Sequence, residues 1–342
     1  MRLLQLMAGA EYGGAEEFFV RLALAFERAN VNQRVVIRGY SSRQAQLATG
    51  GVRTDTLPFR RWFDVRTNVK LRNIIRDWRP DIVLTWMSRA SHACPKFLFG
   101  REFVHVGRLG GYYKLKYFQG CDHLIGNTPG MVEYVRGLGW PDKSSHYLPN
   151  FVSERRMPPL DRRILDTPDH APLLLGLGRL HENKAFDVLL EAVELLPDHW
   201  LWVAGTGPEE AALKSQAKRL GIEQRVRFLG WCEDVAPLFS AANILVCPSR
   251  SEPFGNVVHE AWAQHVPVIA AASEGLQQLV HHGVNGLLVP IDDACALAES
   301  VKKLTGAYAK ELADSGWDRY RESYNEATVV SGYLEFFNSV AP

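Results

Sequence analysis

The stretch LLLGLGRLHENKAFDVLL, residues 173–190, decides the architecture. Leu173–Leu177 is a short, unbroken apolar run, the pattern of a strand covered on both faces rather than one with a wet side. It stops at Gly178, carries Arg179 and Lys184 on a polar loop, and then enters an apolar pattern of helical spacing. A buried strand, a glycine turn and a covering helix form the repeating unit of a parallel sheet. The same unit recurs in both directions along the chain. Upstream, strands are predicted at 3–7, 35–38, 54–57, 82–86, 103–106, 123–125 and 146–148; downstream, at 200–204, 226–229, 244–247, 267–271 and 286–289. With helices in the gaps, this predicts an α/β chain of two doubly wound domains. Ligands of such sheets sit beyond the carboxyl ends of the strands, which directs attention to the loops after Met7, Leu177, Ala204, Leu229 and Cys247.

The length of 342 residues suits two domains. Hydrophobic residues make up 46% and charged residues 23%, which excludes a disordered, collagenous or disulfide-scaffold protein. The five cysteines, at 94, 121, 232, 247 and 295, are scattered and never spaced Cys-x-x-Cys, so they are expected to be reduced and to bind no zinc. No apolar run approaches the ~18 residues needed to span a bilayer. The start, MRLLQLMAGA, meets Glu11 too early for a signal peptide. A soluble, cytoplasmic protein is therefore expected.

The net charge of +1 hides a division. Residues 1–160 hold 24 lysines and arginines against 13 acids, a net of +11, whereas residues 161–342 hold 15 against 25, a net of −10. The proline-bearing stretch around 150–171 separates these halves and reads as the junction. The predicted domains are 1–155 and 156–321. The densest basic segment, 59–79, carries seven basic residues against two acids. Its Trp62, Phe63, Val69, Leu71, Ile74, Ile75 and Trp78 interleave with the charges, as in an amphipathic helix whose basic face meets anionic lipid head groups or phosphates. A solvated face whose long cationic stems cover apolar surface is the alternative. No nucleic-acid motif accompanies the charge.

Several loops carry chemistry. Gly13 and Gly14 stand at the mouth of a helix in which Phe18, Leu22, Ala25 and Phe26 recur at helical spacing. Free amides and the helix dipole there favour an anion, although a plain strand-to-helix turn needs the same residues. Arg179 and Lys184 place a planar fork and a point charge on one loop, a combination suited to a diphosphate. Gly205, in GTGP, precedes good helix-start chemistry. The strongest string is CPSRSEPFGNVVHEA, residues 247–261, with seven residues between Glu252 and Glu260. It sets two carboxylates around a helix start where the amides of 254–257 collect, and carboxylates so placed can accept hydrogen bonds from vicinal hydroxyls.

These blocks, together with FLGW at 228–231, PVIA at 267–270 and HGVNGLLV at 282–289, resemble the retaining glycosyltransferases of family 4, of GT-B fold. They stand in family order over 173–290, and GGAE at 13–16 is similar to the family's amino-terminal loop. RLGGYYKLK, residues 108–116, resembles bacterial members that build lipopolysaccharide and related surface glycans. The resemblance implies two Rossmann-like domains facing across a cleft, with a last helix, at about 322–342, that crosses back to the first domain. It implies a nucleotide-sugar donor, with a UDP sugar favoured and GDP-mannose the second choice, and transfer of a hexose to a lipid-linked or lipopolysaccharide-type glycan acceptor.

Residue by residue, the resemblance gives Arg179 and Lys184 to the diphosphate, Glu252 to the sugar hydroxyls and Glu260 to the ribose diol. The backbone at Phe254, Gly255, Asn256 and Val257 would complete the sugar and phosphate contacts, and Trp231 and Cys232 would lie at the base. Gly13 and Gly14 would approach the β-phosphate from the other domain. There is no Asp-x-Asp, and a cationic pair can replace a divalent metal, so metal-independent transfer without a cofactor is expected. Relatives place a histidine after the strand that ends near 106. Here Arg108 is expected to lie in the loop and take that role, His92 is a second candidate, and His105 falls inside the strand. His265, where relatives often carry glycine, reads as structural. Two other readings are a nucleotide-sugar isomerase and a non-catalytic subunit that docks on the membrane. The expected location is the anionic inner face of the cytoplasmic membrane, peripherally, as a monomer.

Overall fold

The computed structural model describes residues 1–11, 13–60, 64–95 and 103–342. Of the basic segment, Arg61, Trp62 and Phe63 lie outside the described residues. The chain divides into two compact units, Met1–Phe151 with Glu326–Pro342, and Val152–Asn325. The expected divisions were 155/156 and about 321/322.

The first unit is a seven-stranded sheet of β1 (Arg2–Met7), β2 (Asn32–Arg38), β3 (Thr54–Leu57), β4 (Ile82–Trp86), β5 (Val104–Arg108), β6 (His123–Gly126) and β7 (Ser145–Tyr147). Its order is β3-β2-β1-β4-β5-β6-β7, and every pairing is parallel. Alternation along β1 explains the layers. Leu3 and Met7 face one core with Phe18, Phe19, Phe26 and Trp86, whereas Leu4 and Leu6 face another with Leu71, Ile75 and Val83. Each fully buried side chain of this kind contributes roughly 1.5–3 kcal/mol. Gln5 is fully buried within β1 and is satisfied, donating to Gln33 Oε1 at 3.0 Å and accepting from Trp86 Nε1 at 3.1 Å.

The helix Val65–Trp78 is capped by Asp64, which accepts from the Thr67 amide at 3.0 Å, and it buries Thr67, Leu71 and Ile75. Val69, read from the sequence as part of the apolar side, instead points to solvent. It is 51% exposed and Val65 69% exposed, both among exposed Arg66, Lys70, Arg72 and Arg76. The apolar stripe is therefore narrower than the run of hydrophobic residues suggests.

The second unit contains β8 (Leu173–Leu177), β9 (Trp200–Ala204), β10 (Val226–Gly230), β11 (Ile244–Cys247), β12 (Val268–Ala271) and β13 (Leu287–Val289). The sheet is parallel, in the order β10-β9-β8-β11-β12-β13. Leu174 packs into one core layer and Leu173 and Leu175 into the opposite one, as a strand covered on both faces requires. His265 ends the helix Asn256–Ala263 at φ +56, a conformation that favours glycine, and its ring lies 4.5 Å from that of Trp317.

The carboxyl-terminal segment breaks at Tyr324–Asn325, between helices Gly306–Ser323 and Glu326–Val340. Tyr320 and Tyr324 pack in the second unit, whereas Tyr333, Phe336 and Phe337 join the core of the first. The returning helix is thus part of the first domain. It is anchored by a bidentate Arg28–Glu326 pair and by Phe336 against His123 and His146, whose ring nitrogens are 3.0 Å apart.

Candidate active site

Each sheet reverses its strand order once, between β1 and β4 in the first unit and between β8 and β11 in the second. Loops leaving a parallel sheet at such a point diverge and open a crevice at the carboxyl edge. In the second unit the loop after β8 carries Arg179 and Lys184, and the loop after β11 carries Glu252. The topology therefore sets these residues on either side of the crevice, and Lys184 donates a hydrogen bond to Glu252 Oε2. Burial disfavours the ammonium, yet Glu252 outweighs that and holds the Lys184 pKa above its ordinary value. Arg179 is exposed and makes no hydrogen bond or ion pair among the described residues. Among the described residues, one cation is thus committed and one free.

Gly205 lies beneath this loop. Its amide donates to Gly230 O at 2.7 Å, while the Gly178 amide donates to Ala204 O and the Leu180 amide to Thr206 O, each at 3.0 Å. The loops after β8, β9 and β10 are thereby joined backbone to backbone. A methyl group at Gly205 would sit 1.9 Å from Gly178 O, and its φ of +136° favours glycine in any case. Packing between loops thus accounts for this glycine. At the end of β10, Trp231 is 59% exposed, and Cys232 is half-buried with its thiol donating to Gly230 O at 3.8 Å.

The loop after β11 has no regular secondary structure between Cys247 and Asn256, so side chains and neighbouring amides hold Glu252. The Gly275 amide donates to Glu252 O at 3.1 Å, the Ser251 amide to Asn183 O at 3.3 Å, and the Gly255 amide to Glu252 Oε1 at 3.4 Å. Gly255 is the N-cap of helix Asn256–Ala263, so the Glu252 carboxylate lies at the positive end of that helix. Phe254 is buried, Asn256 and Val257 are half-buried at the helix start, and Glu260 is half-buried one turn further on. His259 is fully buried. Its ring is stacked 4.6 Å from Phe254 and lies 4.2 Å from Tyr324, with Nδ1 3.3 Å from Gly255 O. Burial lowers its pKa to about 3, so at neutral pH it is an uncharged buttress under the loop.

In the first unit, Gly13 caps and Gly14 begins helix Gly14–Arg28, which follows β1. The interior of this loop is already filled. Glu16, 8% exposed, reaches back to accept from the Ala10 amide at 2.8 Å, and methyl groups at Gly9 or Gly13 would come within 2.3 or 2.4 Å of its carboxylate. Sequence reading missed Glu16, although a glutamate three residues after an N-cap is the spacing of a capping box. Buried Arg43 donates to the Glu11 carbonyl at 3.0 Å and also to that of Ala10, fastening the loop from outside.

The structure corrects the reading of Arg108. β5 continues through Val104–Arg108, so Arg108 is a strand residue and not a loop residue, and it is 1% exposed. Its guanidinium lies 4.7 Å from the ring centroids of both Phe18 and Trp86. It donates to Tyr333 Oη at 2.8 Å, Leu109 O at 3.1 Å and Asn150 Oδ1. Such a group is packed and hydrogen-bonded within the core of the first unit. His105 is likewise buried in β5, with Nε2 2.9 Å from Thr85 Oγ1 and Nδ1 2.9 Å from Gly120 O. His92 is exposed on helix Met87–Ala93, its ring 6.3 Å from Tyr117.

Comparison with known proteins gives the family and the fold. Residues 12–156 match the family described as Glycosyltransferase Family 4, and residues 171–306 match Glycosyl transferases group 1. The chain is 34% identical over 331 residues to the lipopolysaccharide core biosynthesis glycosyltransferase LpsE of Rhizobium meliloti, covering 96% of each chain. It is 33% identical over 343 residues to LpsD of the same organism, a protein of the same description, covering 99% of this chain and 98% of that one. Among solved structures, Anabaena HepE in complex with UDP and glucose is similar in fold at TM-score 0.84 and 20% identity, over 99% of this chain and 100% of that one. A glycosyltransferase from Rickettsia africae has TM-score 0.87 at 17% identity, over 99% of this chain and 98% of that one.

Proposed function

The chain belongs to the family 4 glycosyltransferases, and on that premise we propose that it moves a hexose from a nucleotide sugar to a lipid-linked or lipopolysaccharide-type acceptor, with retention at the anomeric carbon and without a metal ion. The observation that carries this reading is the meeting of Lys184 and Glu252 at the strand-order reversal, with the uncommitted Arg179 on the same loop. Two cations at a carboxyl-edge crevice suit a diphosphate. A carboxylate at the adjoining helix start suits the hydroxyls of the sugar attached to it.

In this reading, Arg179 and Lys184 neutralise the charge that grows on the departing nucleoside diphosphate. Glu252 orients the transferred sugar, Glu260 holds the ribose diol, and the amides near Phe254–Val257 complete the cradle. Trp231 offers an exposed aromatic face to the base, with Cys232 beside it. The acceptor hydroxyl attacks on the face from which the diphosphate leaves, and a donor phosphate oxygen takes its proton, so no protein nucleophile is required. A uridine diphosphate sugar is the first choice of donor, supported by HepE, which holds UDP and glucose. GDP-mannose is the second choice. The lipopolysaccharide-type acceptor is supported by the descriptions of LpsE and LpsD.

No helix among the described residues is long and apolar enough to cross a membrane. We place the enzyme as a monomer on the inner face of the cytoplasmic membrane, held there by helix Val65–Trp78. Exposed Val65 and Val69 would enter the interface, and Arg66, Lys70, Arg72 and Arg76 would meet anionic head groups.

The test is a thermal-shift series with UDP, GDP, ADP and their sugars, with and without EDTA, followed by acceptor-dependent release of the nucleoside diphosphate. A bound ligand raises the melting temperature by mass action. A selective shift that survives EDTA is expected; no shift with any nucleotide would refute the donor site.

A further inference from the structure

Arg250 lies two residues before Glu252 and outside every role assigned above. Its Nη1 and Nη2 form a forked pair with Asp187 Oδ1 and Oδ2 at 3.0 and 2.6 Å. Its Nε donates to Asp292 Oδ1 at 2.6 Å, and Nη1 also reaches the carbonyl of Glu182 at 2.8 Å. Asp187 is the second residue of helix Phe186–Glu194, Glu182 begins the turn that ends at Lys184, and Asp292 stands three residues past β13 at φ +60. One planar group therefore ties together the loop that bears Glu252, the turn that bears Lys184 and a third segment from across the sheet.

Stability alone explains this poorly. The Arg250 and Asp187 side chains are 32% and 42% exposed, and Asp292 is 53% exposed, a degree of solvation at which ion pairs contribute little. The geometry is nevertheless the most demanding available to an arginine, a bidentate fork with a second carboxylate on the remaining edge. The Lys184–Glu252 pair lies further in, at 22% and 13% exposure. Because the loop 248–255 has no regular structure, the direction of Glu252 depends on whatever fastens its neighbours.

We propose that Arg250 is a positioning residue of the donor site, acting through Lys184 and Glu252 by locking their two loops in register and not by touching the donor. This rests on the donor reading above. Two features follow from it. Lysine in place of Arg250 keeps the charge and loses the fork, so it does not restore function. The effect of removing Arg250 also depends on Lys184 and Glu252 being present.

The experiment measures kcat/KM for the donor in the full chain for Arg250→Ala, Arg250→Lys and Asp292→Asn, each alone and in a Lys184→Ala background, with melting temperatures alongside. Arg250→Ala and Arg250→Lys are each expected to lose at least about tenfold in the wild-type background and less than about twofold in Lys184→Ala, since groups acting as one unit are not additive. Equal losses in both backgrounds would overturn the proposal, because Arg250 would then act independently. A wild-type level in Arg250→Lys would also overturn it, leaving charge alone. Should Arg250→Ala fail to fold, Arg250→Lys and Asp292→Asn carry the same cycle. If Lys184→Ala by itself turns over as the wild type does, the donor reading fails instead, and the two failures are thereby distinguished.

Discussion

Lys184 and Glu252, 68 residues apart in the chain, form a hydrogen-bonded ion pair at the strand-order reversal of the second sheet. Each side chain is the other's partner, and under the proposed function a donor takes over both. Truncating either leaves the other largely buried and unpaired and also removes a group that faces the leaving diphosphate. Lys184→Ala and Glu252→Ala are each expected to lower turnover at least about tenfold, following the size of electrostatic contributions to transition-state stabilisation. Steady-state rates of nucleoside diphosphate release measure this. Undiminished turnover in both variants would remove the pair from the mechanism.

What the sequence discloses follows the range of the interactions concerned. Leu173–Leu177 is legible as a strand because burial on both faces writes a continuous apolar run into adjacent positions, and Ile82–Trp86 is legible in the same way with Thr85 as its one polar residue. Lys184 and Glu252 are legible as candidates because each sits in a strand-to-helix loop, a local signal. Arg108 misleads for the opposite reason. Its partners Tyr333 and Asn150 are 225 and 42 residues away, so nothing near it shows that a guanidinium at a strand end is satisfied inside the core. Arg250 escapes notice likewise, with Asp187 at 63 and Asp292 at 42 residues' distance. Glu16 is different, since its capping-box spacing stood in plain view beside the glycines that drew attention.

Gly205 offers a test of how tightly the loops are joined. Alanine there would place its methyl 1.9 Å from the Gly178 carbonyl oxygen, a backbone atom that moves only if the loop after β8 moves. Gly205→Ala is therefore expected to lower the melting temperature by several degrees and to weaken nucleotide binding at least about tenfold. Calorimetric titration with UDP measures the second effect. Binding at wild-type affinity would show that the loop bearing Arg179 and Lys184 need not hold its observed position.

Arg108 separates a core role from a chemical one. Replacing it with methionine removes the hydrogen bonds to the Tyr333 hydroxyl and the Asn150 amide oxygen and takes a cation from between Phe18 and Trp86. The expected loss of stability is about 2–4 kcal/mol, from the lost buried, charge-assisted hydrogen bonds and the lost ring contacts. Turnover per folded molecule, measured well below the melting temperature, is expected to stay within about twofold. A Michaelis constant and stability unchanged beside a hundredfold lower kcat would return Arg108 to the reacting centre.

His259 gives the protein an acid-sensitive buttress. Its pKa in the folded chain is about 3, against an ordinary value near 6.5, because burial disfavours the charged ring. Below pH ~6.5 the unfolded chain takes up a proton at this position that the folded chain does not, so stability falls as the pH drops toward 3. The slope attributable to one such group approaches about 1.4 kcal/mol per pH unit. His146, with its pKa at about 4 through burial and the neighbouring His123 and Arg136, adds a second contribution over a narrower span. His259→Phe keeps a ring against Phe254 and Tyr324 and removes the titration. Urea unfolding at pH 7 and pH 5 is expected to show a smaller pH penalty in the variant, by close to one proton. An equal penalty in both proteins would mean that the ring is already protonated or solvated in the folded state.

The basic helix of the first unit leads to the last prediction. Arg66, Lys70, Arg72 and Arg76 share its solvent side with Val65 and Val69, so binding to a bilayer has an electrostatic part and an apolar part that can be removed separately. Each cation near an anionic surface is worth about 1 kcal/mol, an attraction that fades within the Debye length as salt is added. Sedimentation with vesicles containing phosphatidylglycerol is expected to show binding that weakens at least about tenfold when the four cations become glutamine, and that weakens in the wild type between 0.05 and 0.5 M salt. Val65→Ser with Val69→Ser is expected to lower binding at both salt concentrations alike, because burial of apolar surface is not screened. Equal binding to neutral and anionic vesicles, or indifference to all six changes, would detach this helix from the membrane and leave its charge to the acceptor.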